Sequence, residues 1–162
     1  MAQYLETLET SRLILRGLDE TDTENVVKWR SDPEVYLFFK NPHAITKDEH
    51  LNWFRNSYLL NSNRCDWMCI EKSTGTKVGV FGLYKDIQVA EINYLLAPGF
   101  KHKGFATEAV SALIHYSKER WNSKEMIAEI HKNNLASIIF IERLGFMLKT
   151  EHDSFFIYHK EV

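Results

Sequence analysis

Cysteine is scarce in this chain of 162 residues, which holds only Cys65 and Cys69. Two thiols exclude a disulfide framework and a four-ligand zinc site, and no other metal site is expected. They fall on one side of an alternating segment around Trp67, a pattern that predicts buried packing rather than a reactive thiol. No apolar run approaches the length of a membrane span, and the first residues lack the charged-then-apolar order of a signal peptide. There is no Asn-x-Ser/Thr sequon. A cytoplasmic protein without a membrane partner is therefore expected. Charge of one sign is also missing: the formal net charge is −2. That excludes non-specific nucleic-acid binding, which needs a global basic excess to displace counterions.

What is present is ordinary for a globular fold, with 44% hydrophobic and 26% charged residues. The length suits one domain over 1–162, able to bury about two-thirds of its unfolded surface. No linker, repeat or low-complexity tract interrupts it. Residues 12–16 alternate with period two and predict a strand. Thr21-Asp22-Thr23-Glu24 reads as a capping box opening a helix to Ser31, and Thr46-Lys47-Asp48-Glu49 as another. The second helix carries Leu51, Phe54, Tyr58 and Leu59 at helical spacing. Strands are expected at 65–71, 77–84 and 88–97. A helix from Gly104 to about Arg120 follows, then a strand at 126–131. Asn133-Asn134 caps a helix that stops at Gly145, and strands at 146–149 and 154–160 close the chain. This order predicts an α/β (α+β) fold: one mixed sheet of about seven strands flanked by about four helices.

The most informative stretch runs from Ala90 to Ala109. An apolar strand ends at Pro98, passes through a basic turn and enters a helix at Gly104. The first amides of a helix lack intrahelical partners, and its dipole favours negative charge there. Gly104 permits close approach of a ligand, while Lys101 and Lys103 add positive charge. The segment predicts a phosphate or pyrophosphate site.

Lys101-His102-Lys103-Gly104-Phe105-Ala106, followed by Asn134-Leu135-Ala136-Ser137 and Arg143-Leu144-Gly145-Phe146, resembles the two cofactor-side signatures of the GNAT superfamily of acetyl-CoA-dependent N-acetyltransferases. Residues 9–16 and 31–35 resemble its branch of ribosomal-protein N-terminal acetyltransferases. The resemblance implies a GNAT-like sheet, acetyl-CoA as co-substrate without a metal, and a pyrophosphate seated on the amides of Lys101, His102, Lys103, Gly104, Phe105, Ala106 and Thr107. It places the pantetheine arm along Tyr94, Leu95 and Leu96, pairing like an added strand. Asn134 and Ser137 would contact the cofactor, although Asn134 also suits a helix cap. Lys101 stands where the family usually has Gln or Arg, a change that costs little when amides carry the binding.

Acetyl transfer to an amine needs a neutral amine, a polarised carbonyl and a tolerated thiolate. Glu91, on the strand leading to the turn, is the first candidate base, with His131 second because an ordinary imidazole titrates at about 6.5. The backbone N–H near Leu96 is the expected polarising donor. Where many family members place an acidic tyrosine this chain has Ile141; a thiol of pKa about 8.5 can leave unaided as its anion.

The aromatic N-terminal region, with Trp29-Arg30 and His50 to Phe54, resembles acetyltransferases of nucleotide-linked amino sugars. Trp29, Arg30, His50 and Trp53 are the candidate acceptor residues; aromatic faces suit sugars and bases, and Arg30 suits a phosphate. The acceptor is then a small amine, with a nucleotide-linked amino sugar favoured. A protein N-terminal α-amine is the second reading, and a non-catalytic acetyl-CoA-binding domain the third. The sequence is compatible with a monomer or a homodimer.

Overall fold

The computed structural model of the protein describes residues 5–162. Its strands form one sheet in the order β1-β2-β3-β4-β5-β6-β8-β7. These are β1 (Leu8–Glu9), β2 (Leu13–Gly17), β3 (Arg64–Glu71), β4 (Lys77–Asp86), β5 (Val89–Leu96), β6 (Glu125–His131), β7 (Met147–His152) and β8 (Phe155–Glu161). The helices are α1 (Thr23–Arg30), α2 (Pro33–Tyr36), α3 (Lys47–Trp53), α4 (Phe105–Trp121) and α5 (Leu135–Arg143). Every neighbouring pair is antiparallel except β5–β6. That parallel step requires a crossover, which α4 supplies.

Period-two alternation divides the sheet into two faces. Leu13, Leu15, Trp67, Phe81, Ala90, Met126 and Ala128 meet Ala109, Val110 and Leu113 of α4 and Ile141 of α5 in the larger core. Cys65 and Cys69 are free and buried there, and burial pushes the Cys65 thiol up to about 11. On the opposite face Leu18, Val26, Trp29, Phe54, Tyr58 and Met68 form a second cluster beneath α1 and α3.

Among the described residues there are eight strands rather than about seven, and five α-helices rather than about four. The additions, β1 and α2, are too short to show a periodic pattern. The first helix is also capped differently from the Thr21 box. Asp19 caps a 3₁₀ turn (Glu20–Asp22), and α1 begins behind it at Thr23. Asp22 gives up the helix for a stronger role: its carboxylate is fully buried and binds Arg16 Nη1 and Nη2 (both 2.8 Å), Lys77 Nζ (2.8 Å) and the Asp19 amide (3.0 Å). The Thr46–Glu49 capping box opens α3 as expected. After Trp53 the chain widens into a π turn (Phe54–Tyr58), closed by the Leu59 amide on the Phe54 carbonyl at 3.0 Å. The turn keeps both rings inward, 5.3 Å apart, and lets Tyr58 Oη accept from the Asp66 amide on β3 at 3.0 Å.

Asp22 provides a stability test. Burial raises its pKa, but the bonds from Arg16 and Lys77 outweigh this and hold it below the usual carboxylate value. A depressed folded pKa contributes stability above the unfolded value, about 3.9, and loses it as pH falls through the folded one. Asp22→Asn should cost about 3 kcal/mol at pH 7, because two cations lose a buried partner. Denaturant melts should show the deficit shrinking below about pH 4. An equal deficit at pH 7 and pH 3 would assign the loss to packing.

Candidate active site

The turn after β5 is left-handed three times, at Gly99 (φ 87°), His102 (φ 62°) and Gly104 (φ 79°). Gly104 is the N-cap residue of α4 and supplies no side-chain cap. Among the described residues, the amides from Lys101 to Thr107 have no carbonyl or side-chain partner. They form a concave set of donors at a dipole's positive end, a group that fits a pyrophosphate. Lys101, His102, Lys103 and Thr107 are exposed around it, Ala106 is half-buried, and Phe105 turns its ring into the core.

Arg12, at the start of β2, braces the turn from behind. Its Nη1 donates to the Lys103 carbonyl (2.8 Å), its Nε to Glu108 Oε2 (2.8 Å), and its guanidinium lies 4.5 Å from the Phe105 ring centre. The Arg12 amide and the Thr10 hydroxyl both donate to Glu108 Oε1. Sequence reasoning missed this brace, because its halves lie on distant elements with no shared pattern.

Beside the turn the sheet opens. β5 and β6 pair only from Val89 and Glu125 to Glu91 and Ile127, although both strands continue, to Leu96 and His131. Ala97 donates to Val78 across the β4 side at 2.8 Å. In an antiparallel ladder alternate amides face opposite ways, so the Leu96 N–H points into the gap. Tyr94 and Ser137 join across this opening through a short hydroxyl–hydroxyl hydrogen bond. Burial pushes the Tyr94 phenol up to about 12, against the lowering effect of Ser137, so it stays protonated. Asn134 is the α5 N-cap, its Oδ1 accepting from the Ser137 amide at 3.2 Å. Ile141 is fully buried in the core, where its identity answers to packing.

The second face gathers the charged groups. Glu91 is half-buried, and its carboxylate makes no hydrogen bond or ion pair to a described residue. Burial raises its pKa, Glu129 adds to the rise, and Lys40 and Arg64 oppose it. His131 accepts from the Asn133 amide through Nδ1 at 3.1 Å, a geometry that leaves the proton on Nε2 and makes the ring a donor. Trp29 is buried in the second cluster beneath α1, so it serves packing rather than lining a pocket. Trp53 is half-buried, stacked on Tyr58 at 5.3 Å with the Arg64 guanidinium 5.0 Å from its ring centre.

Arg30 and His50 lie in the same region without internal partners. The half-buried Arg30 guanidinium sits 5.3 Å from the Phe39 ring centre and has no hydrogen bond or ion pair to a described residue. Burial and then Arg64 lower its pKa. His50 is buried with both ring nitrogens unpartnered, and burial, then Arg30, push its pKa down. Asp66, also missed from sequence, is buried between Arg64 (Nε to Oδ2, 2.9 Å) and Gly82, its Oδ1 unpartnered. A Cβ at position 82 would lie 1.9 Å from that oxygen, so glycine there makes room for the carboxylate.

The strand gap, the amide cradle at its mouth and the charged groups on the second face make up the candidate site. The acetyltransferase (GNAT) domain family matches residues 12–147, and the chain belongs to that family of N-acetyltransferases. An uncharacterized protein of Methanocaldococcus jannaschii is 33% identical over 147 residues, covering 85% of this chain; the chain spans only 28% of that protein. An uncharacterized N-acetyltransferase of Bacillus licheniformis is 31% identical, with 88% of this chain and 83% of that protein covered. Among solved structures, the RimL ribosomal-protein α-N-acetyltransferase in complex with coenzyme A superposes with a TM-score of 0.82, covering 97% of this chain and 98% of the other at 18% identity. Among the described residues no helix is long and apolar enough to cross a membrane, and no group of three or more His, Cys, Asp or Glu side chains could hold a metal.

Proposed function

We propose that this protein moves an acetyl group from acetyl-CoA to the primary amine of a small acceptor, with a nucleotide-linked amino sugar favoured. The observation that carries the acceptor reading is the pair Arg30 and His50. A half-buried guanidinium and a buried imidazole without partners are costly unless a ligand completes them. An anionic phosphate beside aromatic rings supplies what they lack.

Acetyl-CoA supplies the thioester. The amides of Lys101 to Thr107 hold its pyrophosphate, Asn134 contacts it from the start of α5, and the edge from Tyr94 to Leu96 aligns its arm. The Leu96 N–H polarises the carbonyl. Glu91 receives the proton that the acceptor nitrogen gives up as it attacks. The Tyr94–Ser137 hydroxyl pair stands ready to donate to the departing sulfur, the task for which Ile141 has no group.

A protein N-terminal α-amine is the second reading, drawn from the RimL structure of the same fold. The two arginines and aromatic rings of the acceptor face suit an anionic ring-bearing acceptor better than a peptide. A cofactor sensor without turnover is the third. Rates of thiol release with acetyl-CoA and three acceptor sets separate these readings: UDP-linked amino sugars, ribosomal-protein N-terminal peptides, and simple amines that carry no phosphate. Fastest turnover of the sugar nucleotides is expected. Peptides as the only substrates would install the second reading, and no turnover of any amine the third. Arg30→Met should raise KM for the sugar nucleotide by about tenfold with kcat little changed; an unmoved KM removes Arg30 from the acceptor site.

A further inference from the structure

Two carboxylates meet the end of the β5–β6 pairing from one face of the sheet. Glu91 is in register with Ile127, and Glu129 stands two residues further along β6, on the same side. Their circumstances differ. The Glu91 carboxylate has no hydrogen bond to a described residue, whereas both oxygens of Glu129 are held. Oε1 pairs with Lys40 Nζ at 2.7 Å and Oε2 with His152 Nε2 at 2.9 Å. Lys40 comes from the segment between α2 and α3, whose Phe38 ring lies 5.8 Å from the His131 ring. The acceptor-side segment thus reaches across the gap and places a cation on the second carboxylate.

We propose that Lys40 and Glu129 form a charge clamp on Glu91, in which Glu129 is a positioning residue that makes Glu91 a stronger proton acceptor and Lys40 limits that effect. The proposal rests on Glu91 being the base. A carboxylate at its ordinary value holds a proton too weakly to serve an ammonium at neutral pH. A second carboxylate left uncompensated would overshoot and keep the first one protonated. Opposed charges from one ion pair give an intermediate setting. On the same face stand Arg64 from β3, a further cation, and Tyr84, the register partner of Glu91 on β4, and on β6 Glu125, paired with Lys149 and His159, and His131. Burial acts in the same direction as Glu129.

The two members of the clamp should therefore move Glu91 in opposite directions. The measurements are kcat/KM against pH, and carboxyl ¹³C titration of glutamate-labelled protein with the Glu91 signal identified by its loss in Glu91→Gln. Glu129→Gln should shift the acid limb and the Glu91 midpoint to lower pH by about half a unit or more. Lys40→Met should shift both upward by a similar amount, and Lys40→Glu further. Lys40 is mostly exposed, so its variants keep the fold and decide the question if Glu129→Gln unfolds. An ion pair of structural role alone would change KM or the melting temperature without opposed titration shifts. Shifts of one sign, or none, overturn the clamp. An acid limb that survives in Glu91→Gln overturns the base assignment, and the titration midpoints then judge the clamp separately.

Discussion

Glu91→Gln should lower kcat by about a hundredfold while leaving acetyl-CoA affinity within about twofold, because proton transfer by a positioned side chain contributes about that much and the cofactor cradle lies on a different element. The substitution keeps size and most of the packing and removes only the capacity to take a proton. Its sharper consequence is in the pH profile. A base must be deprotonated to act, so kcat/KM should rise with pH through the Glu91 pKa in the unaltered protein. Burial and Glu129 hold that pKa above the ordinary carboxylate value. The limb therefore begins at higher pH than an exposed glutamate would give. In Glu91→Gln it should vanish, leaving the rise set by the acceptor amine, near pH 8 for an α-amine. Initial rates from pH 5 to pH 9 and calorimetric titration with acetyl-CoA make the comparison. An undiminished kcat would remove Glu91 from the mechanism. His131 cannot inherit the role in this geometry, since its Nδ1 lone pair is spent on the Asn133 amide; a water relay would then carry the proton.

How much of this was legible in the sequence depends on how local each signal is. The cradle was readable because proline, basic turn, glycine and helix follow one another directly. The left-handed backbone of Gly104 and Gly145 is something the residue type announces. Both thiols were readable as core from a single alternating strand. The Thr21 capping box failed because a neighbouring Asp22 had a better use, joining Arg16 from β2 and Lys77 from β4, which no local window contains. Trp29 could not be sorted from Trp53 by type: both lie on N-terminal helices, and only the fold buries one while leaving the other half-exposed. The Arg12–Glu108 brace and the Lys40–Glu129 pair are likewise products of topology. Asp66 was hidden differently, inside a strand that reads as continuous core, where its carboxylate survives because Arg64 binds it and Gly82 makes room.

Gly104→Val should abolish measurable acetyl-CoA binding, a loss of about a hundredfold or more in Kd. Two effects combine. At φ 79° a β-branched residue is strongly disfavoured, so the turn would relax toward a right-handed conformation and re-aim the amides beside it. The new Cβ would also lie 3.1 Å from Arg12 Nη2, before its methyl groups are counted. Arg12 would have to move, and with it the bond to the Lys103 carbonyl that shapes the cradle. Backbone strain alone could be blamed for such a result, and Gly75 supplies the control. It too is left-handed, at φ 71°, but a Cβ there would meet nothing within 4 Å. Gly75→Val carries the same conformational penalty in the turn between β3 and β4, away from the cradle. It should lose stability like Gly104→Val yet bind acetyl-CoA like the unaltered protein. Calorimetry on both variants, with circular dichroism to establish that each is folded, reads the difference. Full affinity in a folded Gly104→Val protein would move the pyrophosphate off this turn. Equal losses in both variants would mean that strain, wherever it is placed, loosens the fold that presents the site.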